Sequence, residues 1–203
     1  NRLETWKQNI KAMITHTKAI SGCSKICLIG LRMGATLAGL IANENEVSVS
    51  NLVLWNPCIY GKHYIREMKA LALADDTISN DMGQKIESAG FILSPETAEQ
   101  IKNIDLHSLR FPQEMSVLMI DRDDRPQYIT LLKKWKHDGF HTDYLVQSGY
   151  LEMFAEPHDT IVPVHTLRAI SEWLTKTVQK KTSSIGMGAE NLIPPQNTSD
   201  HAV

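Results

Sequence analysis

The chain has 203 residues, 42% of them hydrophobic and 22% charged, with a formal net charge of −2 and a pI near 6.5. That is enough chain for one domain with a sizeable core, and the charge balance excludes the strongly basic footprint of a nucleic-acid binder. No apolar run approaches the ~18 residues of a membrane span, and no signal peptide is visible.

Residues 3–20 place Leu3, Trp6, Ile10, Met13, Ile14 and Thr17 at spacings of three and four, the stripe of an amphipathic helix that Ser21 and Gly22 then stop. The helical pattern begins at the first residue, Asn1, so the sequence is expected to be the C-terminal part of a longer chain. "KICLIG" is a continuous apolar run, as expected of a parallel strand buried on both faces, and "ATLAGLIAN" follows as a helix of small residues. "NLVLWNP" (51–57) is a second buried strand; 62–74 and about 78–88 read as helices. In "SPETAEQIKNI" (94–104), Ser94 is the N-cap and Pro95 the first helical residue. "MSVLMI" (115–120) is a third buried strand ending in the acidic turn "DRDDRP", 127–139 is an amphipathic helix stopped by Gly139, 141–148 is a fourth strand, and 165–179 is the last helix. The stretch 180–203 has no periodicity and reads as a disordered tail. Apolar strands alternating with helices predict an α/β fold of three layers, a mostly parallel sheet with helices on both faces.

In such sheets the ligand sites lie beyond the carboxyl ends of the strands. Three loops fall there. The first is Gly30-Leu31-Arg32-Met33-Gly34, which has the frame of the G-x-S-x-G nucleophile elbow but carries Arg32 where serine belongs. Roughly 90 residues later comes the acidic turn, from which Asp123 or Asp124 would hold a histidine base, and after the last strand comes "EPHDTIVP" with His158. Elbow, acid, histidine is the chain order of the α/β-hydrolases. Asp124 and His158 are the candidate catalytic pair, and Gly30 and Gly34 are expected to permit the strained turn and close helix packing.

A guanidinium stays protonated and is no acyl nucleophile, which excludes serine-type acyl transfer at this elbow. Two roles remain open for Arg32. It is either a fork for a carboxylate or phosphate at a helix N-terminus, or an internal partner of Asp123 or Asp124 that locks the mouth. Asn56 is a further candidate for orienting a ligand, and Lys62, His63 and Arg66 for a basic rim. Cys58, in "WNPCIY", is a less favoured nucleophile, and a water activated by His158 with Asp124 is a second route to hydrolysis. The three cysteines, Cys23, Cys27 and Cys58, have no metal-ligand spacing and read as free thiols of a reducing compartment. The residues call for no metal and no cofactor.

"GLRMGATLAGLIA", "LVLWNPCIYGKHYIREM" and "SAGFILSPETAEQI" resemble the second type of α/β-hydrolase-like protein associated with the exosortase A system, with its G-L-R-x-G elbow, over residues 3 to 175. The resemblance implies a bacterial, cytoplasmic protein linked to exopolysaccharide functions and called a hydrolase by fold; fold alone does not establish activity. On this view 1–179 is a hydrolase-like domain without its N-terminal strands and 59–110 contributes a helical cap. A four-stranded sheet of this kind would expose an apolar edge, which favours self-association. The expected ligand is a small or saccharide-derived anion: a sugar phosphate, an acidic sugar, a nucleotide-sugar pyrophosphate or a peptide carboxylate.

Overall fold

The computed structural model describes residues 2–74, 86–88 and 91–189, in two compact units, Asn1–Val162 and Pro163–Val203. The first unit holds a parallel sheet of β1 (Cys27–Leu31), β2 (Asn51–Trp55), β5 (Ser116–Arg122) and β6 (His141–Gln147), in the spatial order β1-β2-β5-β6. Residues 91–93 (β4) pair antiparallel with residues 86–88 (β3) in a separate ribbon. That ribbon corrects the helix expected over 78–88 at its last three residues; 78–85 lie outside the described residues.

The helices follow their sequence signals. α1 (Arg2–Ser21) ends at Gly22, whose φ of 68° suits a residue without Cβ. Lys7 and Lys11 of α1 both bind Glu44 at the end of α2 (Met33–Glu44), fixing one helix to the other. α3 (Gly61–Ala74) packs on α4 (Pro95–Lys102), where Ser94 Oγ accepts from Thr97 N at 3.3 Å, the expected cap. α5 (Ile129–His137) puts Leu131, Leu132 and Trp135 into the core. Two short elements escape sequence periodicity: a single 3-10 turn at Leu106–Ser108 and α6 (Tyr150–Met153).

The second unit is α7 (Val164–Ala189), whose backbone continues past Gln179 where the tail is expected to start. Ser and Gly in 182–188 lower helix propensity, but no proline interrupts residues 164–189. Residues 190–203 lie outside the described residues.

The sheet register sets up the site. Leu31, Trp55, Ile120 and Leu145 stand in one rank across the four strands. The next residue in each of the first three strands is Arg32, Asn56 and Asp121, side by side at the carboxyl edge. Arg32 N donates to Trp55 O and Asn56 N to Ile120 O, both at 2.9 Å. β2 is buried along its whole length, but β1, at the edge of the sheet, is not: Ile29 is 56% exposed. The sequence pattern predicts burial on both faces, which does not hold for β1, the edge strand, with a strand beside it on one side only among the described residues.

Candidate functional site

Arg32 occupies the N-cap of α2 with φ 51° and ψ −121°, a left-handed conformation strained for any residue with a side chain. The turn is held because α2 folds back directly onto β1. A Cβ on Gly30 would lie 2.4 Å from Ala35 Cα and 2.5 Å from Gly34 O, so only glycine fits. Gly34 differs: a Cβ there meets nothing within 4 Å among the described residues, so the expectation that both glycines serve close packing holds for Gly30 alone.

The guanidinium of Arg32 reaches across the mouth. Its Nη1 donates to Tyr150 Oη at 2.7 Å and its Nη2 to Glu67 Oε1 at 2.5 Å. Burial disfavours its charge, but these two hydrogen bonds outweigh burial and raise its pKa. The Phe154 ring centroid lies 6.0 Å from its Cζ. Tyr150 is buried, with the Arg122 guanidinium 4.3 Å over its ring and Phe154 5.0 Å away. Arg122 binds Asp124 through Nε, at 2.9 Å, and through Nη2. Two cations and two carboxylates thus surround one tyrosine.

Beneath this mouth lies Asp121, fully buried. Its Oδ1 accepts from Arg122 N at 2.9 Å; its Oδ2 accepts from Gln127 N at 2.8 Å, Tyr128 N at 3.1 Å and Tyr144 Oη at 2.8 Å. Burial and that hydrogen bond push the Tyr144 hydroxyl up to about 12. Tyr128, raised by burial and then by the charge of Asp121, has its hydroxyl 2.7 Å from both Asn56 Oδ1 and Pro57 O. Asn56, a left-handed residue at φ 46°, also accepts from Gln127 Nε2 at 3.3 Å. Its side-chain oxygen is turned inward, away from the ligand role the sequence offers it.

No protein-family model and no curated protein matches this chain. Solved structures do. Est1E from Butyrivibrio proteoclasticus, with ferulic acid bound, superposes with a TM-score of 0.60 at 16% identity, over 87% of this chain and 69% of that one. A Pyrococcus furiosus esterase matches with a TM-score of 0.53 at 18% identity, over 83% of this chain and 60% of that one. The chain has the α/β-hydrolase fold.

In an α/β-hydrolase the histidine follows the last strand and meets the elbow side chain. The residue that does so here is Tyr150, three positions after β6 ends at Gln147, and not His158. His158 has an 81% exposed side chain whose Nε2 lies 3.5 Å from Asp159. Asp124, its expected partner, is held by Arg122, which keeps its carboxyl below the usual carboxylate range. No hydrogen bond joins Asp124 to His158 among the described residues, and Arg32 pairs with neither Asp123 nor Asp124. Arg32 does have an internal partner, but that carboxylate is Glu67 of α3 and not one from the acidic turn. A sequence signal for Glu67 was available: "GKHYIREM" sets Tyr64 and Glu67 three residues apart, on one face of a helix starting at the sheet edge.

The surroundings of Cys58 disfavour its thiolate. Burial pushes its thiol up to about 11, against a smaller downward pull from Arg32. Iodoacetamide labelling of Cys58 is therefore expected to rise about tenfold per pH unit up to about 11, with exposed Cys23 labelled first. Mass spectrometry of each cysteine reads this, and a Cys58 rate that levels off below about pH 9 would contradict it. Among the described residues no group of three His, Cys, Asp or Glu is placed to hold a metal ion, and no helix is long and apolar enough to cross a membrane.

Proposed function

We propose that this chain is an α/β-hydrolase-like binding protein in which the elbow receives an anion instead of attacking an ester. One observation carries the reading: the elbow backbone is kept in its strained form, yet the side chain it presents is a guanidinium seated against a carboxylate. The helix N-terminus at Arg32 adds a partial positive charge, and only two of the five guanidinium N–H groups are engaged by the two bonds above. Glu67, with a 46% exposed side chain, can leave for solvent when a ligand's anionic group takes its place. The resemblance of the elbow and the Trp55–Glu67 region to exosortase A-associated hydrolases supports a bacterial cytoplasmic setting beside exopolysaccharide functions.

The competing reading is hydrolysis without an elbow serine. It needs a general base against the substrate, and Tyr150 in place of histidine speaks against it. With a panel of short aryl esters, wild type, His158→Ala and Arg32→Ser are all expected to be silent. Turnover by wild type that disappears in His158→Ala would overturn the binding reading in favour of hydrolysis.

A further inference from the structure

The surroundings of Arg32 restrict which anion fits. The geometry points to a monocarboxylate with an apolar body, its head on Arg32 and its tail along Phe154. This rests on the binding reading above and goes further by naming the ligand class.

The head group follows from charge. Around Tyr150 two guanidiniums, Arg32 and Arg122, face two carboxylates, Glu67 and Asp124. Asp124 holds Arg122 through both of its oxygens, whereas Glu67 holds Arg32 through a single hydrogen bond. A bidentate pair resists displacement better than a single contact, so Glu67 is the carboxylate that yields. One carboxylate entering as Glu67 leaves keeps the local charge balanced; a dianionic phosphate would leave one negative charge uncompensated beside the buried Tyr150.

The tail follows from exposed apolar side chains. Phe154 is 53% exposed although its ring flanks the guanidinium. It sits at the start of a loop that also exposes Ile161 and Val162, and the preceding turn of helix, α6, exposes Leu151. That loop is ordered by its own hydrogen bonds: Ile161 N donates to Glu152 O at 3.1 Å, and Thr160 Oγ1 bonds Ala155 O and Glu156 O at 3.1 Å. On α3, Leu71 is exposed one turn beyond Glu67 on the same helix face. Four large apolar side chains in solvent on α6 and the hydrogen-bonded loop after it, with Phe154 against the Arg32 guanidinium, fit an amphipathic ligand better than a sugar.

The test is an NMR titration of the full chain, isotope-labelled, with acetate, hexanoate and octanoate, and with methyl octanoate as the uncharged control. The Arg32 Nε–H resonance reports the head group and the Phe154 ring reports the tail. Affinity is expected to rise by roughly two- to fourfold per added CH2. Methyl octanoate should leave the Arg32 resonance unmoved. Arg32→Gln should weaken octanoate by at least about tenfold, and Phe154→Ser should shrink the ratio of octanoate to acetate affinity, with thermal melts showing both variants folded. If acetate and octanoate bind equally and both need Arg32, the apolar half is wrong and the anion reading stands. If no carboxylate moves the Arg32 resonance while inorganic phosphate does, the carboxylate assignment is wrong. If no anion moves it, both the inference and the binding reading fall. Should Arg32→Gln not fold, the chain-length series and Phe154→Ser decide.

Discussion

Asp121→Ala is expected to lower the free energy of unfolding by about 3–5 kcal/mol. The carboxylate is fully buried and accepts from three backbone N–H groups and the Tyr144 hydroxyl. Alanine removes the acceptor and leaves four donors, of which Tyr128 N is buried and the other three partly so. Each unsatisfied donor costs on the order of 1–3 kcal/mol, and water entering the hole recovers part of that. The same bonds shape the turn from Arg122 to Tyr128, so the loss should also loosen the Arg122–Asp124 pair and, through it, the face of Tyr150. Tyr144→Phe removes one of the four bonds and is expected to cost only about 1–2 kcal/mol. Urea denaturation of the three proteins measures this. A loss below about 1 kcal/mol for Asp121→Ala would mean that the loop is held by packing and that the carboxylate is incidental.

Gly30→Ala is expected to cost about 2–4 kcal/mol, while Gly34→Ala, in the same motif, is expected to be neutral or stabilising by up to about 1 kcal/mol. At Gly30 the new methyl would overlap the backbone of Ala35 and Gly34, neither of which can rotate away. The first turn of α2 must lift from β1, and Arg32 must lose either its strained φ or its bond to Trp55 O. At Gly34 the methyl enters open space inside a helix, where alanine is the better residue. Thermal melts give the sign, and a Gly30→Ala protein as stable as wild type would show that the elbow is not under the constraint described. The pair also separates structure from chemistry in this motif: a loss of anion binding in Gly30→Ala without a change in any contacting side chain would report the elbow's geometry alone.

Much of the fold could be read along the chain, because the determining forces are local in sequence. Ser94-Pro95 announces the start of α4, Gly22 and Gly139 end two helices, and the apolar runs at 26–31, 51–55 and 115–120 mark three of the four strands of the sheet. The glycine frame around Arg32 marks the elbow for the same reason: a tight strand-to-helix turn leaves few choices of residue. Ile86–Ser88 was illegible because three residues of strand carry no period, and its partner Phe91–Leu93 supplies the hydrogen bonds.

The site divides along the same line. Sequence alone determined that position 32 carries a permanent cation on a strained turn, that no serine nucleophile exists there, and that acidic residues end the third strand. Only the tertiary structure decided which of them meet. Glu67 reaches Arg32 from a helix 35 residues away, Tyr150 from 118 residues away, and both choices depend on side-chain length and direction at the sheet edge. Asp121 and Asp124 stand three apart in one acidic turn, yet one is buried under four donors and the other faces Arg122 near solvent. Spacing cannot separate them, because strand alternation and loop curvature set which carboxylate points into the core. His158 illustrates the same limit: its chain order suited a triad, but the loop carries it into solvent, and Tyr150, closer to the strand end, takes the place against the elbow.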